Sequence, residues 1–138
     1  MNSCIFCQIL SGNMPCVKIL EDDQFIAILD VFPWSDGHTI IFPKEHHKDI
    51  ENLPTELSSK LMAFAKKVQK KLLSSDLPCE GTHFLMNQGS MAGQTVFHVH
   101  LHIIPRNKHD KFSFQPMSSE MKSIDELKKV AEKINSPA

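Results

Sequence analysis

Three histidines alternate with apolar residues within the stretch 97–104, which reads Phe-His-Val-His-Leu-His-Ile-Ile. Successive side chains of a β-strand point to opposite faces, so His98, His100 and His102 would share one face and the aliphatic residues the other. The aliphatic face would cover a core, and the imidazole face would line a site. A solvated strand face has no need of three imidazoles, because Thr, Lys or Glu would serve there as well. The spacing therefore predicts nucleophilic or acid–base catalysis, or metal binding.

Two cysteines near the start form a second candidate site. Cys4 and Cys7 are three residues apart in a short amphipathic pattern over residues 3–11, which predicts a helix that carries both thiols on one face. A thioredoxin-like redox pair normally follows a strand, and the sequence has no strand pattern before Cys4, so this interpretation is disfavoured. The thiols are then either inert core residues or half of a tetrahedral zinc site that needs two more ligands.

Length and composition are those of one ordinary globular domain. The chain has 138 residues, of which 22% are charged, and 15 Lys and Arg against 16 Asp and Glu give a net charge of −1. This balance predicts no nucleic-acid partner, since such binding relies on a basic surface. No apolar run approaches the roughly 20 residues that span a bilayer, which predicts no membrane partner. The N-terminus lacks a signal-peptide pattern, so we expect a cytoplasmic protein that can also be nuclear, with reduced thiols.

Hydrophobic periodicity predicts the elements that must position these residues. A long amphipathic helix over 55–75 has one apolar stripe at helical spacing and lysines largely outside it. A capping-box pattern at residues 123–126 opens a last helix. Short apolar runs predict five strands, over 17–21, 25–29, 38–42, 82–87 and 97–104. We therefore expect an α+β domain with about five antiparallel strands, a short N-terminal helix, one long helix and a C-terminal helix.

Several motifs follow one another in order along the chain. They are Cys-Ile-Phe-Cys-Gln-Ile from Cys4, Asp30, Gly-His-Thr-Ile-Ile-Phe-Pro-Lys-Glu-His from Gly37, Asn87-x-Gly89, and Gly-Gln-Thr-Val-Phe-His-Val-His-Leu-His-Ile-Ile from Gly93. In order and spacing they resemble the histidine triad (HIT) family, whose signature is three histidines alternating with apolar residues. The resemblance covers residues 4–106, and the variable tail 107–138 adds no support. It implies a HIT fold, a single domain over residues 1–138, and a homodimer.

The resemblance is to the Hint and bacterial Hit branch, which implies a nucleotidyl hydrolase for nucleoside phosphoramidates and dinucleotide-type substrates. His100 takes the place of the family nucleophile, so the implied intermediate is a covalent nucleotidyl-His100 adduct that water hydrolyses. Imidazole suits both steps, because its neutral form is a nucleophile near neutral pH and leaves phosphorus readily. His102 would contact the phosphate oxygens and assist the leaving group. The expected ligand is a purine nucleotide such as AMP or GMP.

Other site residues carry over from the family motifs one by one. His38 matches a histidine behind the nucleophile, and Asp30 matches the acid that accepts hydrogen bonds from the ribose hydroxyls. His98 belongs to the catalytic triad by position. The resemblance implies polar donors to the phosphate and the leaving group at Asn87, Gln94 and Thr95, beside Gly93. It implies the apolar walls of a base pocket at Ile5, Phe6, Ile9, Ile28 and Val31.

The resemblance also completes the candidate metal site. His46 and His98 would join Cys4 and Cys7 in a closed set of two cysteines and two histidines, as in family members that keep the paired cysteines. A closed shell has no open position for substrate, so it implies a structural zinc. His47 is an alternative ligand by spacing, and metal-free core thiols are the other interpretation of the cysteines. No organic cofactor is expected.

Two other classes of function compete with the hydrolase. One is a nucleotide-binding adaptor or sensor in which catalysis is incidental. The other is a metallohydrolase that uses the histidine segment as its metal site. Against the metallohydrolase, no Asp or Glu ligand follows the histidines closely, and Asp110 lies beyond Pro105. The covalent hydrolase is the leading hypothesis.

Overall fold

The fold has three α-helices and five strands among the residues that the computed structural model describes, which are 3–111, 113–114 and 120–136. Residues 1–2, 112, 115–119 and 137–138 belong to the predicted domain and tail and lie outside the described residues. The elements in chain order are α1 (Ile5–Leu10), β1 (Lys18–Glu21), β2 (Phe25–Leu29), β3 (Thr39–Pro43), α2 (Thr55–Leu73), β4 (Gly81–Leu85), β5 (Leu101–Arg106) and α3 (Ile124–Asn135). None of the described helices is long and apolar enough to cross a membrane.

The five strands form one antiparallel sheet in the order β1-β2-β3-β5-β4. The predicted α+β class and the predicted set of elements are confirmed. The turn between β1 and β2 is closed by the Asp22 carboxylate, which accepts hydrogen bonds from the backbone N–H groups of Gln24 and Phe25. The pairing of β3 with β5 places Ile40 opposite His102, which brings the histidine segment beside β3.

One face of the sheet packs on α2. The apolar stripe of the helix is buried at Leu61, Phe64, Ala65, Val68 and Leu72. The aliphatic residues of the histidine segment join the same core, which contains Val99, Leu101 and Ile103. The prediction that these residues face a core is therefore confirmed.

The opposite face of the sheet is covered by α1. Phe6 stacks on Phe42 with ring centroids 4.3 Å apart, and its neighbours in this smaller core are Ile26, Ile28 and Ile40. This core lies on the side of the sheet where the histidines lie, since the Phe6 ring also contacts His98 and His100 edge-on.

The histidine segment is a strand over only part of its predicted length. We expected a strand over 97–104, but β5 begins at Leu101 and runs to Arg106. The start differs because the backbone N–H of Val99 donates to the carbonyl of His47, at 2.7 Å, and so bonds a connecting loop instead of a strand. The end differs because β5 continues to pair with β4, which places Thr82 opposite Pro105 and Gly81 opposite Arg106. Pro105 lies beyond the last residue pair between β3 and β5, so its missing N–H leaves no gap in that ladder.

The C-terminal helix α3 begins as the capping pattern predicts, because the Ser123 hydroxyl accepts a hydrogen bond from the backbone N–H of Glu126. All described residues of α3 are exposed, including its apolar edge of Leu127, Val130, Ala131 and Ile134.

The turn that follows β5 is fixed by Asp110, whose carboxylate accepts hydrogen bonds from the Arg106 guanidinium and from the backbone N–H of Asn107.

The core between α2 and the sheet should dominate stability. Val68 is completely buried, whereas Val17 is 62% exposed, so the same Val→Ala change tests burial directly. Val68→Ala should lower the free energy of unfolding by about 2 kcal/mol, and Val17→Ala by less than about 0.5 kcal/mol. Urea unfolding followed by circular dichroism measures both. Equal effects of the two substitutions would contradict this packing.

Candidate functional site

His100 is held in one tautomer by the backbone. Its Nδ1 lies 2.8 Å from the carbonyl oxygen of His98, and because a carbonyl only accepts, Nδ1 carries the proton. The neutral imidazole then has its lone pair on Nε2. Burial lowers the pKa of His100 below its ordinary value, so the ring is neutral at physiological pH. A neutral ring with a bare Nε2 is the form of histidine that can attack phosphorus.

His38 and His102 form a directed pair beside His100. The backbone N–H of Trp34 donates to His38 Nδ1 at 3.0 Å, so the proton of a neutral His38 sits on Nε2. That Nε2 lies 2.8 Å from Nδ1 of His102, which therefore accepts and keeps its own proton on Nε2. The His102 and His100 rings are 5.1 Å apart between centroids. His102 thus offers a hydrogen-bond donor, as His100 offers a lone pair.

Asp30 faces this histidine pair. One carboxylate oxygen lies 3.5 Å from His38 Nε2 and 3.9 Å from His102 Nδ1, and the other accepts from the backbone N–H of Phe32 at 2.8 Å. Asp30 favours protonated rings, but burial outweighs it in both histidines, and the electrostatic effect of the neighbouring His100 and His38 rings further disfavours a protonated His102. The pKa of His102 is therefore lowered to about 4. The sequence contained no signal for this contact, and the ribose role of Asp30 stays a prediction.

The Asp30, His38 and His102 side chains also lie close enough together to hold a metal ion. The tautomer of His38 argues against this use, because a metal on Nε2 would move the proton to Nδ1 and against the N–H of Trp34. The arrangement suits a hydrogen-bonded chain of neutral imidazoles better than a metal centre.

Four predicted metal ligands converge at the other end of the histidine segment. Nδ1 of His98 lies 3.4 Å from Cys4 Sγ, 3.6 Å from Cys7 Sγ and 3.2 Å from His46 Nδ1, and Cys7 Sγ lies 3.3 Å from His46 Nδ1. A tetrahedral zinc ion separates such ligand atoms by about 3.3–3.8 Å. The spacing and the sulfur–nitrogen donor set both fit zinc.

The tautomer of His98 fits the same role. Its Nε2 lies 2.7 Å from the carbonyl of Pro43 and must donate, which leaves Nδ1 free to bind a metal. His47, the alternative ligand, lies outside the converging group, and its Nε2 is 3.2 Å from a Glu45 carboxylate oxygen. The structure therefore favours His46 over His47.

The loop before the triad is braced by Gln94. Its buried amide donates to the carbonyls of Lys48 and Val96 and accepts from the backbone N–H of Gly89. Both ends of this side chain thus bond the protein's own backbone. The predicted contact of Gln94 with phosphate stays a prediction, whereas its role in shaping the loop is a finding that sequence reasoning missed.

Gly93 is needed for the shape of the same loop. Its φ of +93° lies in the left-handed region, and a Cβ there would stand 3.4 Å from the Asn87 amide nitrogen. The Asn87 amide donates to the Gly93 carbonyl, and the backbone N–H of Gly93 donates to Ser90. Thr95 is exposed beside them. The predicted polar residues are therefore neighbours, although the N–H of Gly93 already has an acceptor within the loop.

The predicted base-pocket walls divide into two groups. Phe6 and Ile9 of α1 pack with Ile28 of β2, whereas Ile5 is 40% and Val31 80% exposed. Phe32 and Trp34, which follow Val31, are also exposed. The pocket itself stays a prediction.

Comparison with known proteins identifies the family. The family model for the HIT domain matches residues 11–109. The chain belongs to the histidine triad family. An adenosine 5′-monophosphoramidase of Schizosaccharomyces pombe is 37% identical to this HIT protein over 134 residues, which cover 97% of both chains. An adenylylsulfatase of Arabidopsis thaliana is 37% identical over 109 residues, which cover 79% of this chain and 55% of that relative.

Solved structures agree with the fold of this HIT protein. A HIT family protein from Bacillus anthracis superposes with a TM-score of 0.83 at 36% identity, covering 96% of this chain and 95% of that one. A zinc-bound histidine triad family protein from Mycobacterium smegmatis gives a TM-score of 0.78 at 40% identity, covering 83% and 82%.

Acid should destabilise the HIT protein through His102. The imidazole has an ordinary pKa of 6.5 when unfolded and about 4 in the fold, so between these values the unfolded chain binds a proton that the folded chain does not. The contribution of His102 to stability is fully present above pH 6.5 and is lost as the pH falls to about 4. The free energy of unfolding in urea, measured from about pH 7 to about pH 4.5, should therefore fall less in His102→Gln than in the wild type.

His109→Gln is the matched control, since His109 is exposed. Its pH dependence should follow that of the wild type. A His102→Gln protein that loses stability with acid as steeply as the wild type would contradict the half-buried, neutral state of His102.

Proposed function

We propose that this HIT protein hydrolyses a P–N or P–O–P bond at the α-phosphate of a purine nucleotide, such as an AMP or GMP derivative, through a covalent nucleotidyl-His100 intermediate. The observation that carries the proposal is the 2.8 Å bond from His100 Nδ1 to the His98 carbonyl, which leaves a neutral Nε2 as nucleophile. The relatives named as an adenosine 5′-monophosphoramidase and an adenylylsulfatase support hydrolysis of nucleotides as the class of activity.

The first step forms a bond between His100 Nε2 and the α-phosphorus and breaks the bond to the leaving group. An amine leaving group takes up one proton from solvent as it departs, while neutral His102 donates a hydrogen bond from Nε2–H to the phosphate oxygens and keeps its own proton. The nucleotidyl imidazolium carries positive charge, which the His98 carbonyl stabilises through the proton on Nδ1.

The second step returns the enzyme to its starting state. Water attacks the phosphorus, the bond to His100 Nε2 breaks, and neutral imidazole leaves. Water releases one proton here, which balances the proton that the leaving group took up. His38 keeps His102 in its donor form through both steps, since the N–H of Trp34 fixes the tautomer of His38.

We also propose that Cys4, Cys7, His46 and His98 hold a structural zinc ion. The support is the convergence of two sulfur and two nitrogen atoms and the zinc-bound relative from Mycobacterium smegmatis. Bound zinc supplies a cross-link between α1, the 44–48 loop and the histidine segment. With four protein ligands the ion has no open position, so the chemistry on phosphorus belongs to the histidines.

We further propose a homodimer in the cytoplasm, with the nucleus as a second location. Among the described strands, β4 lies at the edge of the sheet and pairs only with β5, so its other side is available to a second copy. Met62 and Leu73 of α2 and Phe84 of β4 are exposed apolar residues, and in this proposal they lie in the interface.

Removing the proposed nucleophile should abolish turnover and spare binding. His100→Asn should lower kcat on adenosine 5′-phosphoramidate by at least about a thousandfold, with the Kd for AMP within about threefold of the wild type. Product formation is followed by chromatography and AMP binding by calorimetry. His109→Asn, at an exposed histidine, is the control and should match the wild type.

Two outcomes would overturn the hydrolase. Full activity of His100→Asn would exclude a covalent His100 intermediate. A wild-type protein that binds AMP but hydrolyses neither a phosphoramidate nor a dinucleoside polyphosphate would favour the nucleotide-binding adaptor.

The zinc proposal is tested by a matched pair of cysteine variants. Cys7 belongs to the converging group, whereas Cys16 is an exposed cysteine outside it. The wild type and Cys16→Ser should purify with about one zinc per chain, and Cys7→Ser should lose the metal and unfold at a lower temperature. Elemental analysis and thermal unfolding give the two readouts. A metal-free wild type after growth with added zinc would leave the cysteines as core thiols.

A further inference from the structure

One residue belongs to both the metal-ligand group and the support of the nucleophile. The His98 ring offers Nδ1 to the group of Cys4, Cys7 and His46, and its Nε2–H donates to Pro43. The carbonyl of the same residue accepts the Nδ1 proton of His100. The ring is completely buried. The contacts of the buried ring therefore also anchor the backbone of His98, whose carbonyl sets the tautomer of His100.

A second route runs through Phe6. Its ring meets the His100 ring edge-on, with centroids 5.1 Å apart and planes at 86°, and meets the His98 ring at 5.7 Å and 73°. Phe6 also stacks on Phe42, which fixes its plane. An aromatic wall thus restricts rotation of the nucleophile about its side-chain bonds.

The position of Phe6 depends on the two cysteines. Phe6 lies on α1 between them, and Cys4 caps this helix by accepting the backbone N–H of Cys7 on its sulfur. α1 has six residues, and a helix below about 12 residues is marginal without tertiary contacts. The cysteine sulfurs are thus a main point at which α1 can be fixed to the histidine segment.

The connecting loop joins the same assembly. His46 supplies the fourth ligand atom, and the carbonyl of His47 accepts from the backbone N–H of Val99, between the ligand His98 and the nucleophile His100. The loop therefore contacts the histidine segment at two points, at the His98 ring through His46 and at the Val99 N–H through His47. The second contact bonds the peptide group whose carbonyl accepts the proton of His100.

We propose that occupancy of the Cys4–Cys7–His46–His98 centre by zinc sets the orientation of the His100 imidazole, with His98 and Phe6 as positioning residues. This inference rests on the proposed function of His100 as the nucleophile. A zinc ion that only stabilised the fold would change the melting temperature and leave the His100 ring as it is. A zinc ion that fixes His98 and α1 also fixes the ring, and its loss lowers kcat more than nucleotide affinity.

The test compares zinc-loaded wild type with His46→Ala and His46→Cys. His46→Ala removes one ligand, whereas His46→Cys gives a set of three cysteines and one histidine, which also binds zinc. Long-range ¹H–¹⁵N NMR reports the His100 tautomer, and all measurements are made well below the lowest melting temperature. Wild type and His46→Cys should give one Nδ1–H tautomer, and His46→Ala an average of two.

Kinetics provide the second readout. His46→Ala should lose about ten- to a hundredfold in kcat, with the Kd for AMP within about threefold, because a small displacement of a reacting group affects the chemical step most. His46→Cys should recover most of kcat. If His46→Ala keeps the wild-type tautomer and kcat, the inference is overturned. If the wild type hydrolyses no substrate, the proposed function fails, and the NMR comparison still decides whether zinc orients the ring.

A second pair of variants keeps the test decisive if His46→Ala does not fold. Phe6→Leu removes the aromatic wall and leaves all four ligands, and Phe25→Leu is the control in the core under α2. In zinc-loaded protein, Phe6→Leu should lower kcat and mix the His100 tautomers, while Phe25→Leu should lower only stability. A Phe6→Leu protein with weaker AMP binding and an unchanged His100 ring would make Phe6 a pocket wall and overturn its positioning role.

Discussion

The hydrogen bond from His100 Nδ1 to the carbonyl oxygen of His98 determines what the site can do. It fixes a tautomer, and the tautomer decides which nitrogen is available for chemistry. The carbonyl is in place because the His98 ring is anchored to Pro43 on one side and faces the cysteines on the other. In the proposed mechanism, the same bond stabilises the positive charge that would form on the imidazole when Nε2 is attached to phosphorus. The peptide group between His98 and Val99 thus bonds both the loop that contains His47 and the ring of His100, the proposed nucleophile.

Burial and the charge of Asp30 have opposite effects on the pKa values of His38 and His102, and the effect of burial is larger. Asp30 lies near His38 and His102 and attracts protons to both. The low exposure of the rings lowers their pKa values nevertheless, to about 4 for His102. The pair is therefore a chain of neutral hydrogen bonds whose direction is set by the backbone N–H of Trp34. A carboxylate beside two imidazoles would otherwise suggest an imidazolium or a metal centre.

Period-two alternation predicted which residues of the histidine segment face the core, and this was correct even where the backbone is not a strand. Val99 lies outside β5 and still packs with Leu101 and Ile103. The strand boundary was not predictable, since it depends on the carbonyl of His47, more than 50 residues away in sequence, as an acceptor for Val99. The local sequence pattern indicates which side chains are buried, whereas the backbone hydrogen bonds depend on residues that are distant in sequence. The bonds of Gln94 to Lys48 and the approach of Asp30 to His102 escaped prediction for the same reason. The metal-ligand set followed from the family resemblance, and spacing alone left His46 and His47 equivalent.

The central claim is that phosphorus is transferred to His100. Rapid quenching of the wild-type protein with adenosine 5′-phosphoramidate, followed by proteolysis under conditions that preserve phosphorus–nitrogen bonds and by mass spectrometry, tests it most directly. The account predicts a peptide that carries one adenylyl group on His100 and that disappears as the substrate is consumed. Turnover without any such adduct, or an adduct on another residue, would contradict it.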